Sequence, residues 1–240
     1  MRRCFTKTAL AKVTEPRKTI LLLLLLVLAT GCATLPEYAR PRAAPLDNTR
    51  GQLSEGFTYR PLTIADFKAK ALPRDLGTHQ AHINAHSCIQ IRPTRDTRFQ
   101  IVPRFMAGTV QYFGSIEHIG FEVVLIPECS WWNPRMPRRL QAYVLQHEQI
   151  HFAISELAAR RLTAEARQMA RSYLAIGATR QEVLDELHAK VRSLLEAALQ
   201  ASLKEHTAFD EDASMSPNPR LQNWWYDDVT DRLKKNEPAE

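Results

Sequence analysis

Two histidines four residues apart, with a glutamate directly after the first, carry the most specific chemistry in this 240-residue chain: His147-Glu148-Gln149-Ile150-His151. On a helix, residues i and i+4 project from the same side, so both imidazoles can hold one cation. Histidine nitrogen suits Zn²⁺, and a zinc site that keeps a position open for water is catalytic. Glu148, one residue along, can reach that water without ligating the metal and serve as its general base. The other reading of the same five residues is a buried polar pair that stabilises a helical core. Glu156 is a poor third ligand. It lies about 140° around a straight helix from His151 and about 180° from His147, and it has Arg160 as an i,i+4 partner.

The elements that position this motif follow from punctuation. Between Pro137 and Pro217 there is no proline, and Gly177 is the only glycine. A long helical hairpin is predicted. Its first arm runs from Arg138 to about Leu174, with Leu140, Val144, His147, His151, Ile154 and Ala158 on one face. Its second arm opens on the capping box Thr179-Arg180-Gln181-Glu182 and runs to about His206. Antiparallel arms folded near Gly177 set position 207 opposite His147 and position 203 opposite His151. Glu205, His206 and Asp210 are therefore the candidates for a third ligand.

Upstream, Thr63–Phe67 reads as a short capped helix, and His82–Ile91, Phe99–Val102, Thr109–Phe113 and Phe121–Ile126 as strands between glycines and prolines. Glu128–Pro137 reads as a loop. Strands followed by packed helices make the class α+β, a small, mostly antiparallel sheet on the helical hairpin. The histidines at 79, 82, 86, 118 and 188 form no second ligand set. His82 and His86 are four apart but fall in a predicted strand, which separates them by about 13 Å.

The first sixty residues are of a different kind. A basic stretch leads into Ile20–Ala29, about half of what spans a bilayer, which is the pattern of an export signal. It ends at Ala29-Thr30-Gly31-Cys32, which resembles the lipobox of bacterial lipoproteins. That resemblance makes residues 1–31 a signal peptide and Cys32 the acylated first residue of the mature chain. Ala33, where an acid would retain the protein at the inner membrane, implies the periplasmic face of the outer membrane. Residues 32–57, with prolines 36, 41 and 45, read as a tether, and 58–235 as the folded domain. The net charge of +6 comes mostly from the leader, which holds six of the 32 basic groups and one of the 26 acids. The remainder carries +1, which excludes a polyanion-binding surface and hence nucleic acid as a partner. Export also leaves Cys88 and Cys129 as the free pair, for which a disulfide is expected; two buried thiols are the alternative.

The match around the motif extends to Leu145–Phe152 with Ile154, Glu156, Ala159 and Arg160. This block resembles the bacterial domain of unknown function 922, described as secreted zinc-dependent proteases. Leu62-Thr63-Ile64-Ala65-Asp66-Phe67 is similar to that family's opening L-T-W-x-D-F, and Ser130-Trp131 to its Ser-Trp. The resemblance implies a zincin-like hairpin and a membrane-tethered peptidase that cleaves peptides or proteins with zinc and Glu148. It also implies Asp210 as the third ligand beside His147 and His151, with His206 the alternate. The chain departs from the family at Ile150, where glycine is usual. It departs again at Ala213 and Met215, where the family's Tyr-Asp-x-x-Thr-x-His segment has threonine and histidine. Those losses suit the rival expectation, a non-catalytic envelope lipoprotein that binds or scaffolds. No residue stands out as an oxyanion donor; Tyr226 is conceivable, but beside Trp224 and Trp225 it reads as packing.

Overall fold

The proline-free stretch after Pro137 does fold as helix. In the computed structural model, α1 (Arg138–Ala170) and α2 (Arg180–Ala213) are 33 and 34 residues long. Thr179 caps α2, its hydroxyl accepting from Glu182 N–H at 3.2 Å while Glu182 accepts from Ala178 N–H at 2.9 Å. The structure describes the backbone of residues 42–43 and residues 55–73, 83–214 and 217–235. Cys32, the leader and His82 lie outside the described residues. A third helix, α3 (Pro219–Lys235), follows beyond the predicted hairpin. It forms because Trp225, Val229 and Leu233 recur at four residues and are buried. None of the described helices is long and apolar enough to cross a membrane.

Among the described residues, nine strands make three small sheets rather than one. The first has the order β1 (Arg42–Ala43), β4 (Ile89–Pro93), β7 (Phe121–Leu125), β2 (Phe57–Thr58); all its pairs are antiparallel except β1 with β4. The second pairs β3 (Ala85–His86) with β8 (Trp131–Trp132), which lies inside the expected Glu128–Pro137 loop. The third is β5 (Arg98–Met106), β6 (Thr109–His118) and β9 (Ala175–Gly177), again antiparallel. The expected His82–Ile91 strand is thus divided, with Ser87-Cys88 between β3 and β4. Cys88 and Cys129 form a disulfide that ties this break to the 3-10 turn Pro127–Cys129. Thr63–Phe67 proves to be a 3-10 turn, Ile64–Asp66, whose Asp66 carboxylate accepts from Thr63 N–H at 2.7 Å and from Arg60 at 2.6 Å.

Helix α1 is covered on two sides. Phe152, Ala158, Ala159, Leu162 and Ala166 join the core under the sheets, together with Val123, Leu125 and, from α2, Val183, Leu187 and Leu195. Ile150, Ala153, Ile154 and Leu157 face a second core with Phe209, Trp225 and Val229. Gly114 sets how closely α2 approaches β6. A Cβ there would stand 2.2 Å from Val183 and 3.0 Å from Leu187.

Candidate metal centre

Successive turns of α1 bring His147 and His151 to the side of the helix that meets α2, and Asp210 comes from the C-terminal end of α2. His147 Nε2 and His151 Nε2 are 3.0 Å apart, and Asp210 Oδ1 lies 3.1 Å from the first and 3.2 Å from the second. Three lone-pair donors so arranged fit a metal. A tetrahedral zinc with bonds of about 2.1 Å holds its donors roughly 3.4 Å apart, within a few tenths of an ångström of this triangle. All three residues are partly buried.

The opposite nitrogen of His151 is also occupied. Its Nδ1 is 2.7 Å from Nδ1 of His206, whose Nε2 is 3.4 Å from Ser155 Oγ; that hydroxyl donates to the His151 carbonyl at 2.9 Å. The structure therefore places His206, kept open as an alternate third ligand, behind His151 and apart from the convergent donors. Burial, and then the charge of His151, hold His206 well below its ordinary pKa. A neutral His206 can accept the Nδ1–H of His151, which leaves Nε2 of His151 bare and aimed at the centre. Burial opposes charge on His151, yet the neighbouring Asp210 carboxylate raises its pKa. Burial would likewise raise Asp210, but His151 and His147 pull it well below the usual carboxylate range.

Packing fixes the rings. His147 stacks on Phe209 at 4.5 Å between centroids, and Phe209 meets Trp225 at 5.6 Å, so the second core backs the ligand set. Trp225 Nε1 donates to Asp212 at 2.9 Å. The Trp224–Tyr226 run is therefore packing at its middle residue, while Trp224 and Tyr226 are exposed. Tyr143, one turn before His147, donates its hydroxyl to Ala213 O at 2.8 Å and accepts from Asn218 N–H at 2.9 Å, closing the link from α2 to α3 beside the site. Ser214 Oγ donates to Asp210 Oδ1 at 2.7 Å.

No protein-family model, curated protein or solved structure matches the chain. Its chemistry is read from its own residues. Glu148 is buried and lies close enough to act electrostatically on His151. Ser87 donates to its Oε2 at 2.5 Å, a partner the sequence did not mark because nothing near Ser87 has motif spacing. The disulfide begins at the next residue, and Cys88 N–H donates to Ser130 Oγ at 3.0 Å, so Ser87 is presented from a tied loop. Glu156 pairs with Arg160 at 2.7 Å, and Glu205 with Arg232 and Arg161, away from the centre. The His206 and Asp210 contacts lie three residues further along α2 than a hairpin folded at Gly177 predicts, because the connection carries β9 in place of a tight turn.

Proposed function

We propose that this chain is a membrane-tethered, periplasmic zinc metallopeptidase, zincin-like in its helical hairpin and akin to the secreted proteases of domain of unknown function 922. The observation that carries the reading is the convergence of His147, His151 and Asp210 within 3.2 Å of one another, with the buried carboxylate of Glu148 on the residue next to His147. His147, His151 and Asp210 would hold the metal. When bound, zinc acidifies a water and polarises the scissile carbonyl. Glu148 takes the proton from the attacking water and delivers it to the leaving amine. Ser87 holds one oxygen of that carboxylate and leaves the other for the proton. His206 fixes the orientation of His151, and Phe209 that of His147. Cys32 would carry the lipid that keeps the domain at the outer membrane.

A second reading, a non-catalytic envelope lipoprotein whose zinc is structural, is favoured by Ala213 and Met215 at the family's threonine and histidine positions. Glu148→Gln separates the two. Protein purified without metal-affinity resin should contain about one zinc per chain, lost in His151→Ala and kept in Glu148→Gln. Cleavage of a quenched-fluorescence peptide library should be present in the wild type and absent in Glu148→Gln. Zinc without any cleavage, or no zinc at all, would turn the assignment to the scaffold reading.

A further inference from the structure

The β5–β6 hairpin projects an apolar tip that the metal centre does not use. Phe105 is 76% exposed, and Met106 and Val110 are each 49% exposed. Phe105 pairs with Val110 on one face of the ribbon, while Met106 and Val102 alternate to the other. Ala107 and Gly108, at φ of 47° and 81°, form the turn between them. A docked protein would cover one face of such a ribbon. Apolar groups on both faces of a tip match a medium that surrounds it.

Charge points the same way. From Phe99 through Ile116 the only ionised side chain is Arg104, on the shaft side of the turn, while Arg98 at the base of the hairpin pairs with Glu117 at 3.7 Å. The Arg104 guanidinium lies 5.5 Å from the Phe113 ring centre, its stem along the strand. A cationic side chain set just behind an apolar aromatic tip is suited to anionic headgroups while the tip enters the acyl boundary.

We propose that the Phe105–Val110 hairpin tip is a membrane-insertion element that seats the domain on the bilayer interface. The idea takes from the proposed function only the lipid at Cys32, which supplies proximity; the mass of the mature chain tests that acylation separately. The experiment uses the full mature chain with an environment-sensitive fluorophore at Ala107→Cys, mixed with vesicles of phosphatidylethanolamine and phosphatidylglycerol. Emission at this site should shift to the blue and be quenched by lipids spin-labelled near the headgroup, whether or not the chain is acylated. The same fluorophore at Glu196→Cys, on the exposed side of α2, should stay water-like. Phe105→Asp with Met106→Asp should abolish the shift at Ala107→Cys, with near-ultraviolet circular dichroism confirming an intact fold. Water-like emission at Ala107→Cys on vesicle-bound protein would overturn the proposal. So would a blue shift that ignores lipid quenchers and grows with protein concentration, which would assign the tip to a second copy of the chain.

Discussion

Replacing His206 with phenylalanine isolates the role of the contact behind His151. The substitution keeps a ring to stack on His151, now 5.0 Å away and tilted by 23°, but removes the acceptor 2.7 Å from Nδ1. Loss of such an orienting partner costs roughly 10- to 100-fold in metal affinity, about 1.4 to 2.8 kcal/mol. The zinc-free fold loses a further ~1–3 kcal/mol, because the His151 N–H is left buried without a partner. His206 also gives the effect a pH signature. Its folded pKa is depressed, so its contribution to stability is full above the unfolded value of about 6.5 and is lost as pH falls below it. The difference in Tm between wild type and His206→Phe, measured with chelator present, should therefore narrow from pH 7.5 to pH 5.5. Zinc affinity is read by competition with a chromophoric chelator. An unchanged Kd would refute the orienting role, and a complete loss of zinc equal to that of His151→Ala would make His206 a ligand.

Three other perturbations probe the surroundings of the site. Ser87→Ala should lower kcat about tenfold with KM and zinc content unchanged, and should have no further effect in a Glu148→Gln background; equal losses in both backgrounds would show that Ser87 acts elsewhere. Breaking Cys88–Cys129, which are 41 residues apart, removes a chain constraint of about 4 kcal/mol, measurable as a lower denaturant midpoint after reduction. Gly114→Ala places a methyl against Val183 and Leu187 and should cost about 1–3 kcal/mol, with a matching loss in zinc affinity if α2 is pushed off its seat.

The helices and the histidine motif were legible because long apolar periodicity between prolines admits few other structures. Asp210 was reachable through register along the hairpin, which set it beside Glu205 and His206 as a candidate. Less was visible where long-range contacts decide. Pro103 and the polar or charged Gln100 and Arg104 hid the full length of β5, which runs to Met106 because β6 pairs with it throughout. Helix α3 is polar on most of its surface and acquires its buried stripe only against α1 and α2. The roles of Ser87 and His206 depend on which atom faces which neighbour, and linear spacing carries no such information.

Val183, seated on Gly114, and Asp210 lie 27 residues apart on the same helix, a rigid arm of about 40 Å. A pivot of only about 2° at the sheet end would swing the carboxylate by roughly 1.4 Å, far beyond the ±0.2 Å latitude of a metal–ligand bond. Leu187, Leu195 and Phe209 seat the shaft along its length. The tyrosine hydroxyl bridging residues 213 and 218 acts as the second bearing, so wear at either mounting would surface first as a misaligned third ligand, well before the protein unfolds.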